Sequence, residues 1–279
     1  MIINGNIIAA EIKNNLRKQI KKLKIKPGLG IILVGRDKPS QIFVAQKVRF
    51  CKEVGINVRL VLIKEGAERL ADKVKEAILK LNQSKPLSGI IIQLPLPETL
   101  KKIQHEIFRL INPEKDIDCL TPTNLGLLNS GRDTMQPAVV KACLEILARH
   151  KIRLKSKTVL LLGWGQVVGK PLAPALLHQG ATVIICNEFT KNLNTLTKKA
   201  DIIISAVGKP AILNGKMVKS GVIALDVGSS FKSGKIIGDF ETVSMQKRAS
   251  LITPVPGGIG PVTVAMVAQN VLEARQKQV

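Results

Sequence analysis

Residues Leu161–Pro171 read LLGWGQVVGKP. The stretch has the form of a strand end running into a glycine-rich turn that opens a helix. Gly163, Gly165 and Gly169 give the spacing G-x-G-x-x-x-G. Glycine suits such a turn because the chain reverses tightly and its backbone must approach a pyrophosphate with no Cβ in the way. The helix beyond offers free N–H groups and the positive end of its dipole, and Gln166 stands inside the turn that leads to it. Pro171 falls near the helix start, where its missing N–H costs little. The apolar run TVLLL before the turn and VVGKPLAPALL after it supply the strand and the helix. This context predicts dinucleotide binding, although three glycines alone would also serve tight strand–helix packing.

Working outward, the next strand ends in CNEFT. An acid at that strand end, about 20 residues past the glycines, receives ribose hydroxyls in a dinucleotide fold. Glu188 stands there. Its carboxylate favours a free 2′-hydroxyl and repels a 2′-phosphate; the plainer alternative is a solvated surface glutamate. Lys170 and Lys191 are the nearby cations that a 2′-phosphate would use. Further strands are predicted at Thr158–Leu162, Thr182–Cys186, Asp201–Ser205 and Val222–Asp226, and a last helix from Pro261 to about Gln276.

The first half shows the same rhythm. LGIILVG (Leu29–Gly35), NVRLVLI (Asn57–Ile63) and GIIIQLP (Gly89–Pro95) read as buried strands. Ile8, Ile12, Leu16, Ile20 and Leu23 recur at helical spacing, and a second helix runs from Pro39 to about Val54, ended by Gly55. Alternating strands and helices predict an α/β fold with mostly parallel sheets. The joint between the halves falls between Leu120 and Val140, a stretch rich in Thr, Pro, Asn, Gly and Ser. The expected division is a first domain of residues 1–135, completed by the C-terminal helix at 261–279, and a Rossmann-like domain of 136–260.

Composition narrows the classes. With 279 residues, 45% of them hydrophobic, the chain can build real cores. No apolar run is long enough for a membrane span, and the N-terminus lacks the pattern of a signal peptide. Cys51, Cys119, Cys143 and Cys186 are scattered singly, which predicts reduced thiols in a cytoplasmic protein and no metal site. The net charge of +23 favours anionic partners. Yet the lysines are dispersed, aromatic residues are 3% and tyrosine is absent, so little is available to stack on bases and no nucleic-acid partner is expected.

Several first-half residues carry chemistry. PSQIFVAQK puts Ser40, Phe43 and Lys47 on one helix face. A lysine on the stripe of a buried phenylalanine is partly desolvated and suited to proton transfer, although an ordinary snorkelling lysine fits the spacing as well. Gln93 falls at the C-terminal end of a parallel strand, where such sheets bind ligands. Asp116 and Asp118 follow a helix in EKDIDCL, a pattern that also serves caps and turns. TPVPGGIGPVT (Thr253–Thr263) is a rigid Pro/Gly loop into the last helix, with an unusual backbone path suited to a flat ligand.

Taken together, GIIIQLPLP, PEKDID, VGKP, ADIIISAVGKP, DVG and above all TPVPGGIGPVT resemble the bifunctional methylenetetrahydrofolate dehydrogenase/methenyltetrahydrofolate cyclohydrolase family over nearly the whole chain. The resemblance implies two α/β domains flanking a cleft, homodimers formed through the cofactor domains, and tetrahydrofolate substrates held against a nicotinamide. It implies that Lys47 is the catalytic lysine, Gln93 its hydrogen-bonding partner and Asp118 the acid that reads the pterin ring. Ser40, Phe43, Pro256, Gly257 and Gly258 would border the substrate. Gly163, Trp164, Gly165, Gln166, Gly169, Glu188, Val207, Gly208 and Gly228 would border NAD or NADP. The positive charge would suit a polyglutamylated folate tail.

The departures from the family's pattern sharpen the expectation. Phe43 stands where the family has tyrosine, so a hydroxyl is missing; one lost polar contact costs ~1 kcal/mol. Cys119 replaces a glycine, and DVGSS (Asp226–Ser230) replaces DVGIN. Trp164-Gly165 replaces Arg-Ser or Ala-Ser, and CNE replaces CHS or CHR. The family more often uses NADP, but Glu188 favours NAD. Three readings remain open at this level: an active enzyme with NAD favoured, a cyclohydrolase with weak or lost dehydrogenase activity, and a non-catalytic folate- or nucleotide-binding relative.

Overall fold

The computed structural model describes residues 1–132, 134–232 and 234–278. The chain opens with α1 (Gly5–Lys21), whose Ile8, Ile12, Leu16 and Ile20 form one buried stripe. Leu23, expected on that stripe, lies past the helix end. Lys26 Nζ donates to the Ile20 and Lys21 carbonyls and satisfies the terminal acceptors there. Next come β1 (Gly28–Val34), α2 (Lys38–Val54), β2 (Asn57–Ile63), α3 (Leu70–Gln83) and β3 (Gly89–Ile92). Helix α2 is stopped at both ends: the Asp37 carboxylate accepts the Ser40 N–H, and Gly55 takes a left-handed φ of 90°. Short helices α4 (Glu98–Lys101), α5 (Gln104–Arg109) and α6 (Pro122–Asn129) follow, then α7 (Ala138–Arg149). Helix α6 lies inside the stretch expected to be only a connection: once Pro122 opens it, Leu125 and Leu128 extend it through residues that composition alone marks as loop.

The second half contains β4 (Thr158–Leu162), α8 (Gly169–Leu177), β5 (Thr182–Cys186), α9 (Leu193–Lys199), β6 (Ile202–Ser205) and β7 (Ile223–Asp226). It closes with the hairpin β8 (Ser230–Lys232) and β9 (Lys235–Ile237), α10 (Thr242–Gln246), β10 (Leu251–Ile252) and α11 (Ile259–Lys277).

Two compact units result. One holds residues 10–127, 134–138 and 264–278; the other holds 1–9, 128–132 and 139–263. The first unit has a parallel sheet in the order β2-β1-β3, covered by a core that includes Ile32, Val74, Ile78, Ile90 and Phe108. Its β2 corrects the sequence reading. The strand was expected to be buried, but it is the sheet edge, and Leu60 and Leu62 are exposed. An apolar run marks a strand without saying which of its faces is covered.

The second unit has a five-stranded parallel sheet in the order β10-β7-β6-β4-β5. Its core includes Leu160, Ile203, Ala224 and Met245. The first nine residues belong to this unit because Ile2 bridges Ile252 and the Gly5 N–H donates to the Gly257 carbonyl at 2.7 Å. From β4 the chain goes to β5 on one side and then to β6 on the other. That reversal is the switch point at which an open α/β sheet receives a ligand, outside the carboxyl ends of the strands.

Candidate active site

In the first unit, Lys47 Nζ donates to Gln93 Oε1 at 3.0 Å. The orientation of Gln93 follows from its other bond. Its Nε2 donates to the Leu94 carbonyl at 2.7 Å, and since that carbonyl only accepts, the amide oxygen is turned to the lysine. The Gln93 backbone N–H donates to the Ile32 carbonyl, extending the β1–β3 ladder by one residue and fixing the side chain's origin. Lys47 is half-buried on α2, with half-buried Phe43 one turn earlier and buried Ser40 two turns earlier.

Asp116 and Asp118 are two residues apart and have different work. The Asp116 carboxylate is buried and accepts from the N–H groups of Leu120 and Thr121 and from Asn124 Nδ2, at 2.8–3.0 Å. It is a turn anchor. Among the described residues no such donor meets the Asp118 carboxyl; burial pushes its pKa up, the nearby Lys47 charge pulls it down, and Asp116 adds to the rise. The segment that carries both acids is pinned along β3. Ile90 bridges Asp116, and a Cβ on Gly89 would meet Ile117 at 2.6 Å, so the close approach requires glycine. Buried Lys115 donates to the Asn82 and Ser84 carbonyls at the end of α3. Asn270 of α11 donates to the Ile117 carbonyl at 2.8 Å. Sequence reading gave no role to Lys115, although it lies inside PEKDID, or to Asn270, which lies in no recognisable spacing.

In the second unit, the glycine turn has the predicted form. Gly163 has φ 108°, and a Cβ on it would meet the Ala206 carbonyl oxygen at 2.7 Å. A Cβ on Gly169 would meet the Gly163 oxygen at 2.2 Å. Gly165 faces open space in the turn that leads to α8, so the backbone there is free to receive a phosphate group. Lys170 Nζ donates to Gln166 Oε1 at 3.2 Å. Trp164 and Glu188 are exposed.

Across the switch point, the loop after β6 is fixed by Asp239. Its carboxylate accepts from Ser205 Oγ at 2.7 Å, Val207 N–H at 2.8 Å and Lys209 N–H at 2.9 Å. Gly208 in this loop has φ 69°, and Gly228 must be glycine because a Cβ would strike the Asp239 carboxyl at 2.1 Å. The Pro256–Gly258 loop belongs to the same unit; Gly257 has φ 99°, and Gly5 holds its carbonyl. Sequence reading singled out neither Gly5 nor Asp239.

Residues 3–118 match the family Tetrahydrofolate dehydrogenase/cyclohydrolase, catalytic domain, and residues 137–279 match Tetrahydrofolate dehydrogenase/cyclohydrolase, NAD(P)-binding domain. The chain belongs to the tetrahydrofolate dehydrogenase/cyclohydrolase family. It is 38% identical over 274 residues to the bifunctional protein FolD of Caldanaerobacter subterraneus, covering 98% of this chain and 96% of that one. The crystal structure of the bifunctional FolD of Campylobacter jejuni superposes with a TM-score of 0.94 at 35% identity, covering 100% of this chain and 99% of that one. The Trypanosoma brucei methylenetetrahydrofolate dehydrogenase-cyclohydrolase, crystallised with NADP and an inhibitor, gives 0.94 at 30% identity, covering 100% and 98%. Within this tetrahydrofolate dehydrogenase/cyclohydrolase chain, the Lys47–Gln93–Asp118 group lies in the catalytic-domain match and the glycine turn in the NAD(P)-binding match. Among the described residues no helix is long and apolar enough to cross a membrane, and no cluster of His, Cys, Asp or Glu is placed to hold a metal ion.

Proposed function

We propose that the protein oxidises 5,10-methylenetetrahydrofolate to 5,10-methenyltetrahydrofolate and then hydrolyses it to 10-formyltetrahydrofolate. The observation that carries this reading is the oriented Lys47–Gln93 pair at the carboxyl end of β3, with Asp118 close enough to feel the Lys47 charge. The nicotinamide, when bound, accepts the hydride from the one-carbon bridge. The protein's own residues do the rest. Asp118, whose pKa burial pushes up, turns its carboxyl to the ring nitrogens of a pterin. In the hydrolytic step water adds to the methenyl carbon, and Lys47 passes protons between that oxygen and the leaving ring nitrogen as the ring opens. Gln93 keeps the ammonium group aimed. Phe43 supplies a ring face without a hydroxyl.

The glycines at 163, 165 and 169, with Gln166, receive the pyrophosphate. Val207, Gly208 and Gly228 border the dinucleotide across the switch point, and Pro256, Gly257 and Gly258 border the substrate. Glu188 makes NAD the better cofactor, because a carboxylate accepts ribose hydroxyls and repels a 2′-phosphate. Lys170, already turned to Gln166, and Lys191 are the competing cations. Residues 1–135 with 261–279 serve as the folate domain and 136–260 as the cofactor domain, except that residues 1–9 and 128–132 pack with the cofactor unit. A homodimer forms through the cofactor domains, and the surplus positive charge receives the glutamate tail of the folate. The four buried free cysteines fit a reducing cytoplasm; burial pushes the Cys51 and Cys143 thiols up to about 12 and makes them poor nucleophiles.

Steady-state kinetics with 5,10-methylenetetrahydrofolate and each cofactor test this. The expected kcat/KM is about tenfold or more higher with NAD, the size of one charge repulsion of ~1.4 kcal/mol. Equal or better efficiency with NADP removes the Glu188 assignment. Methenyl hydrolysis without any hydride transfer removes the dehydrogenase assignment and leaves the cyclohydrolase.

A further inference from the structure

The chain has one tryptophan, six phenylalanines and no tyrosine. Phe50, Phe108 and Phe240 are buried in the cores. Phe189 is 80% exposed and Trp164 43% exposed. An unburied Phe forgoes ~1.5–3 kcal/mol of transfer free energy; Phe231 is 38% exposed as well, so what sets Trp164 and Phe189 apart is their place in the fold. The two residues stand at one place in the fold. Leu162 of β4 is the register partner of Cys186 of β5, and the Gly163 N–H adds a further bond to the Cys186 carbonyl at 2.8 Å. Trp164 therefore leaves β4, and Glu188 and Phe189 leave β5, from adjacent strand ends on the ligand-receiving edge of the sheet.

The Phe189 turn is set in advance. Asn187 Oδ1 accepts the Phe189 N–H at 3.0 Å, Thr190 Oγ1 accepts the Asn187 N–H at 2.9 Å, and the Thr190 N–H donates back to the Asn187 carbonyl. A ring presented on an ordered turn binds without the cost of ordering it. Glu188, next to Phe189 at the same strand end, supplies the acceptor for hydroxyl groups beside an aromatic surface. Hydroxyls beside a flat aromatic base describe an adenosine.

We propose that Trp164 and Phe189 are the adenine-binding residues of the cofactor site, stacking on the base while Glu188 takes its ribose. The proposal rests on the dinucleotide reading above and adds to it the residues that recognise the base. In this site the two aromatic residues do what cations do for a 2′-phosphate: they supply the affinity at the adenosine end.

Because Trp164 is the sole tryptophan and tyrosine is absent, the intrinsic emission of the whole protein reports on this one ring. Titrating the protein with NAD, ADP-ribose and AMP should quench that emission saturably, whereas nicotinamide mononucleotide, which lacks adenine, should leave it unchanged. Phe189→Ala should weaken ADP-ribose binding in calorimetry roughly tenfold, the scale of one base–aromatic stack, with unchanged circular dichroism. If NAD binds in calorimetry while ADP-ribose and AMP leave the emission unmoved, and Phe189→Ala binds ADP-ribose as the parent does, the adenine assignment is overturned and the cofactor site stands. If neither NAD nor ADP-ribose binds at all, the cofactor reading and this one fail together. If Phe189→Ala changes the sedimentation coefficient and not the nucleotide affinity, the exposed ring covers a second copy of the chain and the assignment is likewise overturned.

Discussion

Lys47 is useful only because its neighbours deny it other work. The salt bridges of α2 fall on other residues: Glu53 takes Lys13 and Arg49, and Asp37 is spent on the helix cap. Lys47 is left with a neutral amide oxygen, which orients an ammonium group without neutralising it. Replacing it with methionine keeps the stem and removes the proton carrier. Methenyl hydrolysis, followed by loss of methenyl absorbance, should fall about 100-fold or more. Gln93→Leu should cost about tenfold, since a hydrogen bond to a charged group is worth ~1.5–3 kcal/mol. A Lys47→Met protein that hydrolyses within twofold of the parent would remove the lysine from the mechanism. The spacing of Ser40, Phe43 and Lys47 was legible in the sequence, and so was the place of Gln93 at a strand end. The division of labour between Asp116 and Asp118 was not. It depends on which carboxylate meets the N–H groups of Leu120 and Thr121, and that is decided by the turn, not by the residue type.

At the scale of elements, the dinucleotide half is held by a chain of two buried acids. Asp239 fixes the loop after β6, and Asp226, at the end of β7, accepts the N–H groups of Asp239 and Phe240 at 3.0 and 2.9 Å. Both side chains are fully inside. The glycine turn could be read from its spacing, but this clamp could not, because its partners lie in three separate segments and aspartate in GDF looks like any turn residue. Burial raises the Asp226 carboxyl to about 7; its backbone donors work against the rise and the charge of Asp239 adds to it. An unfolded aspartate releases its proton near ~3.9. The native state therefore holds the proton more tightly than the unfolded state. The stabilisation from that proton is complete below about pH 4 and is lost as pH rises toward 7. Asp226→Asn has no proton to lose. Thermal unfolding at a series of pH values should show the parent's advantage over the variant shrinking across that window, by ~2–4 °C for each kcal/mol of linkage. A constant difference between the two proteins would mean that Asp226 does not titrate there.

For the whole molecule, the sequence conveyed the order of elements better than their exposure. β2, β4 and β5 were bounded to the residue, because Gly, Pro and polar groups punctuate them. The edge position of β2 was hidden, since NVRLVLI is as apolar as the central strand beside it. Charge is the other property that no single element reveals. The chain carries 43 Lys and Arg against 20 Asp and Glu. Exposed pairs such as Arg69–Asp72 and Lys101–Glu98 contribute little each and cannot offset a surplus of +23. The compact state therefore concentrates like charge that unfolding would disperse. Salt relieves this repulsion, because the screening length shrinks from ~14 Å at ~0.05 M to ~4 Å at ~0.5 M. Sodium chloride over that range should raise the unfolding temperature by ~2–4 °C for each kcal/mol of repulsion removed. Polyglutamylated folate should bind more weakly over the same range, while the monoglutamate changes little, since only the tail exchanges counterions. An unfolding temperature that falls with added salt would show that attractive pairs, not the surplus of cations, dominate the surface.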